Sequence, residues 1–110
     1  MGFRSFQISQ QDNEKEYIFR LSGELDLSVA TQFRIELEPI VNKADKMLVF
    51  DFENLKYIDS TGIGIIISVL KIREQLKAEF YVRNVPSGIK RLLDLTGVSN
   101  YLNEGLDEGV

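Results

Sequence analysis

Residues 57–65, Tyr57-Ile58-Asp59-Ser60-Thr61-Gly62-Ile63-Gly64-Ile65, mark the point where two apolar runs of different period meet. Upstream, residues 47–52 form a short apolar run containing Asp51, which suits a strand buried on both faces between parallel neighbours. Downstream, residues 63–76 are too long, and too charged toward their end, to be another strand. They predict a helix that begins near Ser60 or Thr61. A doubly buried strand feeding straight into a helix restricts the chain to an α/β fold.

The junction has chemistry of its own. The first backbone N–H groups of a helix lack intrahelical partners and carry the positive end of its dipole, so Ser60 is expected to cap the helix, and a phosphate is favoured there too. Gly62 and Gly64 each give up about 1 kcal/mol of helix propensity relative to alanine. Their small size is expected to leave the surroundings of Ser60 open to another protein. For a serine in front of a helix, capping and close packing are otherwise a sufficient structural account.

Composition removes most alternatives. The chain has 110 residues with no cysteine and no histidine. That length predicts one domain, residues 1–110, burying roughly two-thirds of its unfolded surface. Without cysteine or histidine, thiol nucleophiles, imidazole bases and the usual zinc sites are excluded, so no catalytic residue, metal or cofactor is expected and the chain does not read as an enzyme. A net charge of -4 argues against binding nucleic acid directly. No apolar run approaches the length of a membrane span and the amino terminus has no signal-like core, so a soluble cytoplasmic protein is expected.

In order along the chain, residues 3–8 read as a weak strand, residues 10–15 as a polar turn, and residues 17–22 as a half-buried strand broken by Gly23-Glu24. Asp26 or Ser28 is placed to cap a helix whose Ala30, Phe33, Leu37, Ile40 and Val41 share one face, with Pro39 expected to kink or shorten it. After the central strand and the Ser60 helix come a short strand at residues 80–82 and a third helix. That helix has Pro86 in its first turn and Gly97 at its end. Residues 101–102 predict a last short strand, and residues 103–110 a flexible acidic tail. The sum is a mixed sheet with helices packed mainly on one side.

Projected at about 100° per residue, the Ser60 helix carries two apolar stripes. Ile65, Val69, Ile72 and Leu76 form the longer one, expected to face the sheet. Ile63, Ile66, Ile67 and Leu70 form the other, in which Ile66 and Leu70 are expected beneath a neighbouring helix and Ile63 and Ile67 in a docking patch beside Ser60.

Three blocks carry a resemblance. Gly23-Glu24-Leu25-Asp26, then Asp59-Ser60-Thr61-Gly62-Ile63-Gly64, then residues 90–97 (KRLLDLTG) resemble, in that order, the STAS domain family, and more narrowly its bacterial anti-sigma-factor antagonists. The match spans nearly the whole chain and is specific in combination, with isoleucine at position 63 where leucine is frequent. The resemblance implies an α/β STAS-type mixed sheet and a binding module that is a substrate, not a catalyst. It implies phosphorylation of Ser60, with Thr61 at the variable second hydroxyl position and Asp26 near the serine and assisting the reaction. It also implies an anti-sigma factor that is itself a serine kinase, bound by the unphosphorylated form so that a sigma factor is released, and a PP2C-type phosphatase that reverses the modification. The partner-facing set is then Asp26, Asp59, Ser60, Thr61, Gly62, Ile63, Gly64 and Ile67.

Two rivals come from other classes. A phosphoaspartate receiver could use Asp51 as acceptor, but Glu14 and Glu16 fall in the first turn and not after a buried strand, where such a domain holds its metal. A small hydrolase built on Asp26, Asp59 and Ser60 lacks a histidine or a well-placed lysine base.

Overall fold

The computed structural model describes residues 6–104. Five strands, β1 (Gln7–Asp12), β2 (Glu16–Leu25), β3 (Met47–Ile58), β4 (Phe80–Arg83) and β5 (Asn103–Glu104), lie side by side in chain order. The β1–β2 pair is antiparallel, as its three-residue turn dictates, and every later pair is parallel. Crossovers run through α1 (Ala30–Val41), α2 (Ser60–Leu76) and α3 (Ser87–Thr96).

Alternation along the strands decides where the core sits. Phe19 and Leu21 of β2, Phe50 and Phe52 of β3 and Val82 of β4 share one sheet face and join the helices in a single apolar cluster. Phe50 is its hub, with ring centroids 6.0 Å from Phe19, 5.6 Å from Phe33 of α1 and 5.0 Å from Phe80. The opposite face holds buried Ile18 and Val49 among charged neighbours, Arg20 with Asp51 at 3.6 Å and Arg83 with Glu16 at 2.6 Å. Burial works to raise the Glu16 carboxyl, but the Arg83 and Asn13 hydrogen bonds and the Arg83 and Lys15 charges together outweigh it and hold Glu16 below its ordinary value.

Several expectations shift. The first strand begins at Gln7 and runs to Asp12, so the turn is shorter than residues 10–15; residues 3–5 lie outside the described part. Gly23 does not end β2. At φ 87° it carries the strand through a bulge, where the register against β3 slips, and β2 continues to Leu25. The central strand likewise does not stop at residue 52 but runs to Ile58. Pro39 is accommodated within α1, which ends two residues later. Pro86 is the residue before α3 and not in its first turn, and Gly97 ends the helix at φ 81°. Residues 98–101 are a 3₁₀ turn, with the short strand at Asn103–Glu104 instead of residues 101–102. The rest of the expected tail, residues 105–110, lies outside the described residues.

The largest departure concerns α2. The line facing the sheet is Gly62, Ile66, Val69 and Arg73, all buried and spaced four, three and four apart. Ile65, Val69 and Ile72 line a groove against Leu37 and Val41 of α1, while Leu76 is 38% exposed, so the longer stripe turns toward α1 more than toward the sheet. Arg73, 1% exposed, gives its guanidinium to the backbone carbonyls of Val41, Lys43, Lys46 and Glu79 at 2.6–3.3 Å.

Candidate functional site

Parallel pairing builds the site. Leu25 and Ile58 are partners at the carboxyl ends of β2 and β3, so the residues that follow them, Asp26 and Asp59, leave the sheet side by side. The Asp59 amide donates to the Leu25 carbonyl at 3.2 Å and closes the junction. This end of a parallel sheet is where α/β folds usually present ligand and partner sites.

Asp59, not Ser60, caps α2. Its Oδ1 accepts the Gly62 amide at 3.0 Å and its backbone carbonyl accepts the Ile63 amide at 2.9 Å. Its Oδ2 reaches across to accept the amide of Leu27 at 3.1 Å. Aspartate is as good a cap as serine and adds a charge opposite the helix dipole, so it takes the position one residue before the serine. Ser60 becomes the first helical residue, exposed, and its hydroxyl has no hydrogen-bond partner among the described residues. Thr61 beside it is half-buried.

Asp26 caps a 3₁₀ turn, Leu27–Val29, and not α1 itself. Its Oδ1 accepts from the Ser28 amide at 3.0 Å and the Ser28 hydroxyl at 2.6 Å, while α1 starts behind Val29 without a side-chain cap. Asp26 and Asp59 thus face one junction from two turns.

The two glycines have different reasons. A Cβ on Gly62 would lie 2.7 Å from the Leu25 carbonyl and 2.7 Å from Ile58 Cγ1, so glycine here allows the helix to approach the sheet and does not keep the surface open. A Cβ on Gly64 would meet nothing within 4 Å. Gly64 leaves a flat surface beside Ser60.

Ile63 is 7% exposed and belongs to the core cluster, which corrects its expected place in a docking patch. Ile67 is half-buried and lines a groove of about 520 Å³ with Leu70, Thr96, Val98 and Tyr101. Ser60, Gly64, Ile67 and Lys71 fall four, three and four apart, a single stripe from the serine to that groove. Ile63→Ala is therefore expected to lose about 2–4 kcal/mol of stability and Ile67→Ala about 1 kcal/mol or less, as read by urea unfolding. Equal losses would mean that the exposed stripe has been misplaced.

Asp51 stands apart. It sits in the middle of β3 at 6% exposure, accepting from the Glu53 amide at 3.0 Å and Asn84 Nδ2 at 3.2 Å, on the face bearing Arg20. It is not at a strand end, and a receiver built on it is not favoured. Sequence reasoning passed over Leu27, whose neighbour Asp26 drew the attention; it is 72% exposed and adjoins Asp59. Among the described residues no cluster of acidic side chains could hold a metal ion, and no helix is long and apolar enough to cross a membrane.

The chain and its fold have counterparts. The chain is 30% identical over 105 residues to the anti-sigma-B factor antagonist of Staphylococcus aureus, covering 94% of this chain and 97% of that protein. It superposes on an anti-sigma factor antagonist from Mycobacterium paratuberculosis with a TM-score of 0.80 at 21% identity, covering 94% of this chain and 88% of the other. It also superposes on the Bacillus cell fate determinant SpoIIAA in its phosphorylated form with a TM-score of 0.69 at 19% identity, covering 94% and 93%. The family description of the STAS domain matches residues 5–108, and the chain belongs to that family.

Proposed function

We propose that this chain is an anti-sigma-factor antagonist controlled by phosphorylation of Ser60. The observation that carries the reading is an exposed, unbonded serine hydroxyl on the first residue of α2, at the carboxyl ends of parallel strands, with Asp59 already serving as the cap. In this reading the unphosphorylated form binds an anti-sigma factor that is a serine kinase, and a sigma factor is released. Relatives named as antagonists of anti-sigma-B and anti-sigma-F factors support it, as does the existence of a phosphorylated form of one structural neighbour.

The chain supplies the accepting oxygen and the surface, and the kinase supplies the base and the nucleotide. It acts as substrate and switch, not as enzyme, and it works in the cytoplasm where such partners are found. Ser60, Gly64 and Ile67 form the contact stripe with Thr61 beside it, Asp26 and Asp59 flank it, and Gly62 fixes its height above the sheet. Phosphorylation adds about -1.5 to -2 charge next to Asp59 and Asp26. A partner fitted to the neutral serine would have to desolvate that charge, so binding ends while the fold stays. A PP2C-type phosphatase restores the neutral hydroxyl.

Incubation with the source organism's anti-sigma-factor kinase and Mg-ATP is expected to add one phosphate, mapped by peptide mass to Ser60, and Ser60→Ala is expected to remain unmodified. Ser60→Asp is expected to weaken binding of that kinase by at least about 100-fold, as loss of a buried polar fit commonly does. A phosphate on Thr61 with Ser60 intact would overturn the assignment.

A further inference from the structure

We propose that Leu27 is an apolar anchor for the same partner that reads Ser60, an inference that rests on the function proposed above. Leucines are usually buried, and this one is 72% exposed. Its backbone is nonetheless held from several sides. The Leu27 amide donates to Asp59 Oδ2 at 3.1 Å, the following Ser28 amide donates to Asp26 Oδ1 at 3.0 Å, and the Val29 amide donates to the Asp26 carbonyl at 3.1 Å. A side chain presented on a fixed backbone loses little freedom when it is buried by a partner, which is how a single apolar contact comes to contribute strongly to affinity.

Position follows from the same carboxylate. Asp59 uses one oxygen for the Leu27 amide and the other for the Gly62 amide at 3.0 Å, so one side chain sets the register between Leu27 and the first turn that carries Ser60. A surface that covers the serine therefore meets the leucine as well. The fitting occupant is a protein with an apolar recess beside the place that receives the serine hydroxyl. A second copy of this chain is disfavoured, because a two-fold contact through Leu27 would bring Asp26 and Asp59 of both copies together in a molecule of net charge -4. The arrangement also sharpens the switch. With a phosphate on Ser60, the partner could bury Leu27 only by stripping water from a neighbouring dianion, so one modification removes both the polar and the apolar part of the contact.

The test is a titration of the full chain, its Leu27→Ala, Leu27→Met and Ser60→Asp variants, with the source organism's purified anti-sigma factor, alongside thermal melts and sedimentation. Leu27→Ala is expected to bind at least about tenfold more weakly through faster dissociation, with its thermal midpoint unchanged, and Leu27→Met to recover most of the affinity. If Leu27→Ala binds like the unmodified chain while Ser60→Asp does not bind, the anchor is wrong and the proposed function stands. If both variants bind like the unmodified chain, or that chain itself does not bind, the function falls and takes the anchor with it. If Leu27→Ala only converts a dimer of this chain to a monomer, the leucine serves a second copy and the proposal is overturned.

Discussion

Replacing Arg73 by alanine is expected to lower the unfolding free energy by about 3–5 kcal/mol, a large part of the roughly 5–15 kcal/mol available to a domain of this size. The guanidinium is 1% exposed, and its partners are carbonyls, not carboxylates. Val41 ends α1, Lys43 and Lys46 belong to the loop into β3, and Glu79 precedes β4. Truncation would take this donor from the Val41, Lys43 and Lys46 carbonyls, while Glu79 keeps the Leu48 amide at 3.0 Å, and would leave a cavity where the planar group lay; each buried orphan costs about 1–3 kcal/mol. Burial pulls the Arg73 pKa down, with Asp45 and Tyr17 opposing. The group still stays charged across any pH the fold survives. Arg73→Lys is expected to keep the charge but lose about half the bonds, because one ammonium cannot reproduce the fork, and to fall between the two in urea unfolding. A loss below about 1 kcal/mol for Arg73→Ala would mean that water replaces the guanidinium without penalty.

The second large effect separates two glycines only two residues apart in α2. Gly62→Ala is expected to destabilise by about 2–4 kcal/mol, because its Cβ would press on the Leu25 carbonyl, part of the sheet backbone that cannot give way as a side-chain tip could. The same replacement at Gly64 meets open space and removes a weak helix former, so Gly64→Ala is expected to stabilise by about 0.5–1 kcal/mol. Denaturation curves give the sign of each directly. Partner titration adds a second separation, since Gly64→Ala places a methyl group on the contact stripe and is expected to weaken binding in a more stable protein. Two changes of the same sign would refute the division between a packing glycine and a surface glycine.

What could be read from the sequence was whatever is encoded locally. The period change at residues 57–65, the alternation in β2, the apolar run that opens β3 and the Gly97 stop each depend on neighbours within a turn or two, and the α/β order followed from them. Arg73 escaped notice because its partners lie 27–32 residues upstream or beyond the helix end, so along the helix it resembles any charge near a carboxyl terminus. Ile63 was misplaced for a related reason. Nothing in α2 announces how much of its flank another element will cover, and Ile63 ends with only 7% of its surface exposed while Ile67 one turn later lines an open groove. The start of α2 at Ser60 was legible, but its cap was assigned to the serine and not to Asp59. Aspartate and serine are both good caps, and nothing local shows that Asp59 will also receive the Leu27 amide, which approaches only once β2 and β3 are paired.

Because Asp59 secures the start of α2, the Ser60 hydroxyl can be esterified without removing any bond that holds the chain together. Under the proposed function, the altered and unaltered molecules would then share one architecture, and neither would relax spontaneously into the other. A record kept this way does not fade with thermal motion, as a conformational record would. Its duration would be set by the proposed enzymes that write and erase it, and in their absence it would persist until growth dilutes the marked copies.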